Sequence, residues 1–462
     1  MQHKSTRIGI FLAISWLYAC IHLDRQILGI LAQSVKSDLH LQDQQLGVLT
    51  GSAFSIVYAL LGLYFGALAD RSDRLVLLRS GAWVWSLSCM AAAFAPGYPM
   101  LVASRGGVAV GEAIATAAAV SLIAELAGET YRARAASVFL SGAFIGAGTA
   151  AIGGGAVVGL FRNVHQIAGW RAALFVAGMP GLLGAIYFQA FCRRELSHRP
   201  PSQPPPSTRA AAVLILAALG AVAAQMIWRP GVSVPLCVLM TAVVAVWWMR
   251  RLRRTDEAAY FATLGQSRFR YLVLAFAAVM FVDTAAAFWL IPYTQRCFGL
   301  SASAAGSQLG VLMIIGGIIG CLFGGWLADR WRRLQISGRV WTALIAVLAE
   351  GAAILLMLGR SDYPAFIFTF GAFCLSSGGW AGVAAAIAFD IVPNEHRGTG
   401  TSAYFLATTV LGPGIGPFVV GLGSDTLGSL NAALAWACAL LAIAAAALIK
   451  LGRLLNEPAA LP

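Results

Sequence analysis

Apolar runs of about the length of a membrane span recur along the whole chain, separated by short polar or basic segments. They fall at 8–34, 46–69, 75–95, 99–126, 135–160, 170–191, 210–228, 231–249, 271–295, 303–327, 340–359, 364–391, 401–422 and 430–449. At 1.5 Å per residue, such runs suffice to cross a hydrocarbon core about 30 Å thick. The pattern therefore predicts an all-α polytopic membrane protein of about fourteen transmembrane helices, with no room for a soluble domain. The two central runs are joined by a tight "WRPG" turn and carry no charged face. That predicts a hairpin crossing the membrane rather than lying on its surface. The stretch "RPPSQPPPSTR" before it reads as an extended linker.

Composition agrees. The chain is 59% hydrophobic and 11% charged, with a mean hydropathy of +0.78, where soluble proteins are about a quarter charged. A net charge of +13 would suit nucleic acid, but the basic residues are placed otherwise. With the N-terminus inside, about 24 of the 32 Lys and Arg fall on the cytoplasmic side, about six fall outside, and Arg25 and Arg105 fall within spans. This asymmetry predicts a multi-pass membrane protein with both termini in the cytoplasm. The basic start of the first run resembles a signal peptide. It lacks a small-residue cleavage site, however, and continues through Asp24 and Arg25, so it reads as the first span. The eight cysteines are scattered without CxxC spacing and read as packing residues. No G-x-S-x-G, H-E-x-x-H or phosphate loop occurs, and the histidines are isolated. The expectation is a non-enzyme without metal or cofactor, monomeric and surrounded by lipid.

The chain repeats itself. "GALADRSDR" at 66–74 returns as "GGWLADRWRR" at 324–333, and Asp70 and Asp329 are 259 residues apart. The same offset links Gly47 to Gly306 and Asp24 to Asp283. Glu125 and Asp390 are each followed seven residues later by an arginine, Arg132 and Arg397. Matches in one order predict two pseudo-symmetric six-helix bundles, 1–192 and 271–462. Between them, 193–270 supplies a linker, an extra two-helix hairpin and the basic "RRLRR" segment. Duplicated halves are typical of secondary transporters, whose substrate sites lie between the repeats near the midplane.

Charges inside spans are the candidate chemistry. Asp24 and Arg25 lie in the first run, and Arg105 and Glu112 lie in the fourth at a similar depth. Arg105 and Glu112 are seven residues apart, nearly two turns, and so share one helix face. Partnered charges in a membrane are far less costly than isolated ones, so the four predict a quartet. The quartet could brace two helices, or line a pathway that relays protons and binds an anion. Asp283 echoes Asp24, but Thr284 replaces the arginine. Asp283 either faces the cavity or is a protonated structural acid, and Glu350 is a weaker case of the same choice. The glycine strings "GAFIGAGTAAIGGGAVVG" at 142–159 and "GPGIGP" at 412–417 suit close packing or bending in equivalent spans of the halves.

The two loop strings resemble the major facilitator superfamily motif G-x-L-a-D-R-x-G-R-[KR], with Asp73 where the motif has its later glycine. More narrowly, "LDRQILGILAQSVKSDLHLQDQQLGVLTG", "ADRSDR" and "SRGGVAVGEA" resemble the spinster branch and its bacterial relatives. Ile21 stands where eukaryotic members often have asparagine. The resemblance covers both halves and implies the major facilitator fold. It implies that Asp24, Arg25, Arg105 and Glu112 serve substrate and proton coupling, with Asp283 as their second-half counterpart. It also implies a cytoplasmic gate built from Asp70, Arg71, Arg74, Glu125 and Arg134 in one half and Asp329, Arg330, Asp390 and Arg397 in the other. The expected function is secondary active transport of a small or amphipathic organic anion, a lysolipid being one case, coupled to protons. The alternative from sequence is an uncoupled facilitator or scramblase-like lipid transporter on the same scaffold.

Overall fold

In hydrocarbon every backbone N–H and C=O must find a partner within the protein, and a helix provides this internally. The computed structural model describes residues 2–69, 72–161, 168–191, 208–393 and 396–457, and these are almost wholly helical. The first half comprises α1 (Gln2–Leu39), α2 (Asp43–Thr50), α3 (Ser52–Ala69), α4 (Arg74–Ala92), α5 (Tyr98–Leu160) and α6 (Gly169–Phe191). The insert comprises α7 (Thr208–Ile227), α8 (Pro230–Thr255) and the short α9 (Glu257–Ala262). The second half comprises α10 (Ser267–Phe298), α11 (Ala302–Arg332), α12 (Gly338–Leu358), α13 (Tyr363–Ile391), α14 (Arg397–Leu411), α15 (Gly416–Leu427), α16 (Leu430–Cys438) and α17 (Leu440–Asn456).

Among the described residues, twelve helical segments are long and apolar enough to cross a membrane. The described parts of α1 and of the first stretch of α5 are not among them, and these two carry Asp24, Arg25, Arg105 and Glu112. Together they bring the spans to about fourteen. The sequence pattern predicts two spans separated at 127–134, whereas Tyr98–Leu160 is helical throughout. Its two ends nevertheless run in opposite directions. Gly107 and Gly111 pack against Ser88 and Trp85 of α4, while Gly142, Gly146 and Gly154 follow α1 from Ser15 to Ile30. Arg105 and Gly146 both reach α1 at residues 19–24, though a straight helix would put them about 60 Å apart. The stretch doubles back and supplies both spans.

The start of α10 and the end of α17 lie on one face, called here the terminal face. Arg268 at the start of α10 donates to Leu454 O at the end of α17 at 3.0 Å. At this face Asp73 caps α4, accepting from the backbone N–H groups of Leu75 and Val76. The residue that departs from the loop motif therefore satisfies donors that a helix start leaves open.

The hairpin α7–α8 docks on the first half. Ser52 on α3 donates to Gln225 on α7 at 2.7 Å, both fully buried, and Gly106 on α5 lies against Val222. Leu216, Leu219, Leu239 and Val243 on its other side are exposed and suit a lipid-facing surface.

Two seams join the halves toward the face opposite the terminal one. In the first, α2 crosses α15 with backbone touching backbone, and a Cβ on Gly47 would overlap the Pro417 carbonyl. In the second, the glycine string of α5 meets α11: Gly148 lies against Gly310, and Gly155 against the Ala302 carbonyl. Here the glycines serve close approach, as small residues do between membrane helices.

Candidate functional site

Arg25 lies mid-way along α1 and donates from Nε to Glu112 Oε2 on α5 at 2.6 Å. Glu112 is 0% exposed and its Oε1 has no hydrogen-bond partner among the described residues, whereas the Arg25 side chain is 26% exposed. The arginine thus bridges a dry wall and open space. Its guanidinium stands over the rings of Phe54 and Tyr58, each 4.7 Å from the centroid. Arg105 approaches the same Phe54 ring at 5.3 Å. One ring face thus steadies two like charges by cation–π attraction.

The four predicted charges do come together, but not as two simple ion pairs. Arg105, 5% exposed, donates to the backbone carbonyls of Leu49 at 3.1 Å and Asp24 at 3.3 Å. It therefore ties α1 to α2 through main-chain oxygen and not through the Asp24 carboxylate. The Asp24 oxygens accept no hydrogen bond among the described residues, and Asp24 is 1% exposed. Arg105 and Arg25 are the charges beside it.

Across the seam, Gly29 on α1 packs against Phe288 and Ile291 of α10. The two helices run in the same direction, so Arg25 and Asp283, a turn or two inward from this crossing, lie at similar depth. Asp283 is half-buried and accepts from Ser377 Oγ on α13 at 2.6 Å. Glu350 on α12 is 0% exposed and accepts from the indole N–H of Trp380 at 2.6 Å.

At the far end of the seam lies a cluster that sequence reasoning missed. Asp43, at the start of α2, accepts two bonds from Arg296 of α10 at 2.6 and 2.7 Å. It also accepts from Lys36 at 2.6 Å and from Ser424 of α15 at 2.7 Å. The carboxylate of Asp425 accepts from the backbone N–H groups of Asp43 and Gln44, so a residue of one half caps a helix of the other. Gln295 Nε2 adds a bond to Ile30 O across the halves at 3.3 Å. Lys36, Asp43 and Arg296 sit where polar loops are expected, so nothing in their spacing marks them. Only the fold brings residues 253 positions apart into one bidentate pair. Phe54 and Tyr58 carried a weak signal, four residues apart on one helix face.

At the terminal face, the described ion pairs lie within the second half. Arg339 on α12 bridges Asp329 at 2.7 Å and Asp390 at 2.8 Å, and Arg332 reaches Asp390 at 3.4 Å. They bind α11, α12 and α13 to one another. Arg330 is exposed, and Arg74 donates to Ala69 O at 3.3 Å. Asp70 and Arg71 lie outside the described residues, as do the side chains of Glu125, Arg134 and Arg397. Among the described residues no three His, Cys, Asp or Glu are grouped as metal ligands would be.

The family model described as Major Facilitator Superfamily matches residues 14–338 and again 273–461. An MFS-type efflux pump of Mycolicibacterium smegmatis is 24% identical over 431 residues, covering 92% of this chain and 86% of that protein. Protein spinster homolog 1 of Rattus norvegicus is 26% identical over 438 residues, covering 90% of this chain and 73% of the relative. The crystal structure of a bacterial homolog of the human lysosomal transporter Spinster, inward-facing and unoccupied, superposes with a TM-score of 0.76 at 21% identity. It covers 98% of this chain and 99% of that one.

Proposed function

The chain belongs to the Major Facilitator Superfamily, and from that premise we propose a proton-coupled secondary transporter of small or amphipathic organic anions, lysolipids among them. One observation carries the reading: the Arg25 side chain, partly open to space, is held by a fully buried glutamate, Glu112. An anion that draws Arg25 toward itself leaves Glu112 without its partner in a wall where an unpaired carboxylate costs several kcal/mol. Taking up a proton removes that penalty, so anion binding and proton uptake become one event. When the proton leaves, Glu112 recaptures Arg25 and the anion is released. Arg105 holds the backbone geometry around Asp24 and Leu49, and Asp283 faces the same space from the second half. The apolar and aromatic surface around Arg25 suits the tail of an amphipathic anion.

In this reading the chain ends are cytoplasmic in a bacterial inner membrane, and the protein works as a monomer among its lipids. The face closed by Asp43 and Arg296 is then the outer one, and the molecule is shut to the outside. Asp70, Arg71, Arg74, Glu125 and Arg134 act as the cytoplasmic gate with Asp329, Arg330, Asp390 and Arg397, re-pairing across the halves when the outer face opens.

The test is flux of labelled lysophospholipid in proteoliposomes, with and without a proton gradient, for wild type and Glu112→Gln. Gradient-driven flux in wild type that vanishes in the variant supports the coupling. Equal flux with and without the gradient would replace it by the uncoupled facilitator or scramblase-like alternative. No flux would discard the lysolipid and direct the same assay to small organic anions.

A further inference from the structure

The second half holds a pair of acids that the quartet does not need. Glu350 on α12 is 0% exposed; Oε2 accepts the Trp380 N–H, and Oε1 has no hydrogen-bond partner among the described residues. Asp283 on α10 accepts from the Ser377 hydroxyl, and Ser377 and Trp380 are three residues apart on α13, so one stretch of that helix carries the donors of both acids. The titratable groups facing the pair from neighbouring helices are thiols, Cys374 of α13 beside Asp283 and Cys438 of α16 beside Glu350. Tyr404 of α14 lies behind Phe276, whose ring meets that of Trp380. The arginines of α10 and α12 that lie nearest in sequence are engaged at opposite ends of the bundle. Arg296 holds Asp43, Arg339 holds Asp329 and Asp390, and Arg270, exposed in the first turn of α10, donates to Ser267 Oγ. In the facing half, Arg25 is paired with Glu112.

The contrast between halves is one of charge balance. The quartet has two acids and two bases, whereas this cluster has two acids and no base among the described residues. Two ionised carboxylates cannot share a dry bundle with only one N–H and one hydroxyl between them: burial and like charge both oppose it. A positive particle has to reside there. A hard metal ion would want six or so oxygen ligands, while an indole N–H occupies one Glu350 oxygen and would repel a metal. The occupant that fits is a proton.

We propose that Asp283 and Glu350 form a second proton-carrying site, separate from Glu112, in which half-buried Asp283 exchanges with the cavity and Glu350 holds the proton behind it. This deepens and rests on the proton-coupled reading above. Asp283 shares α10 with Arg296, about 20 Å along the helix, so a change of charge at the acid pair acts on the helix that closes the far face. One proton would travel with the quartet and one with this pair.

Infrared spectroscopy of the purified full chain tests the site without any substrate. Wild type should show a protonated-carboxyl C=O band that Glu350→Gln removes and that the double variant Asp24→Asn, Glu112→Gln keeps. Trp380→Phe leaves every carboxyl in place and should move the frequency of that band by deleting its donor, which covers the case of Glu350→Gln failing to fold. A band unchanged by both Glu350→Gln and Trp380→Phe overturns the proposal. In proteoliposomes with a pH dye, Glu350→Gln should lower the proton-to-substrate ratio by one, and an unchanged ratio also overturns it. Failure of the coupled reading looks different: there the wild type itself shows equal flux with and without the gradient.

Discussion

Asp43→Asn removes the centre of the cluster that joins the halves at the far face. The carboxylate side chain is 3% exposed and takes four bonds, two of them a fork from Arg296 and one from Lys36. An amide keeps one acceptor atom and turns a donor toward the cations, leaving Lys36 and Arg296 facing one another without an anion. Deleting one partner of a buried, bidentate pair costs roughly 3–5 kcal/mol. Lys36 and Arg296 are 33% and 25% exposed, so water screens part of this, and about 2–3 kcal/mol is the better figure. At 1.4 kcal/mol per decade, the ratio of closed to open far face should fall roughly 30- to 150-fold. Spin labels at Ser37→Cys and Arg360→Cys, both exposed beyond the seam on opposite halves, read this directly once Cys192, Cys297 and Cys321 are replaced by serine. In nanodiscs, Asp43→Asn should add a longer-distance population to the electron–electron resonance distribution, and Arg296→Ala should do the same. Distributions that match wild type in both variants would refute the latch and leave the closure to helix packing.

Packing makes its own contribution at the same seam. Gly47→Leu places a side chain where the Pro417 backbone lies, so the far face should open in the same spin-label assay even with the ion pairs intact; an unchanged distance would mean that α2 shifts to accept the residue. Phe54→Ala removes the ring beneath Arg25 and Arg105, a loss of about 1–2 kcal/mol. Calorimetric affinity for the transported anion should fall roughly 5- to 30-fold while flux stays gradient-dependent, and unchanged affinity would show that the ring does not position the arginines.

Much of the fold was legible because hydrocarbon imposes one rule on every span, and the halves repeat each other. Asp24, Arg25, Arg105 and Glu112 were legible for the converse reason: a charge inside an apolar run stands out. What the sequence hid was pairing. It could not say that Arg105 would grip main-chain oxygens and leave Arg25 to hold Glu112. Nor could it pick out Asp43 and Arg296, because charges at span ends are ordinary and only tertiary structure makes this pair buried. The connection between the two spans of Tyr98–Leu160 is helical where a loop was expected, because "AELAGETYRARA" is rich in good helix formers and has no proline.

The placement of charges on α1 and α10 shows how a local event can reach the far face. Each helix carries an acid at mid-depth and a cation of the latch near its far end: Asp24 and Lys36 on α1, Asp283 and Arg296 on α10. The helices cross where Gly29 meets Phe288 and Ile291, between those two levels. A rigid helix pivoting at such a crossing moves its two arms in opposite senses. In the proposed cycle, a pull on Arg25 or a change of charge at Asp283 would therefore shift Lys36 and Arg296 relative to Asp43. The latch need not be strong to respond, only two-state, and a bidentate fork between seams of touching backbone is geometrically all-or-none. Closure here combines glycine contacts, which tolerate little displacement, with ion pairs, which water can take over once the seam parts. The first make the closed state rigid, and the second keep the barrier to leaving it within reach of a binding event worth a few kcal/mol.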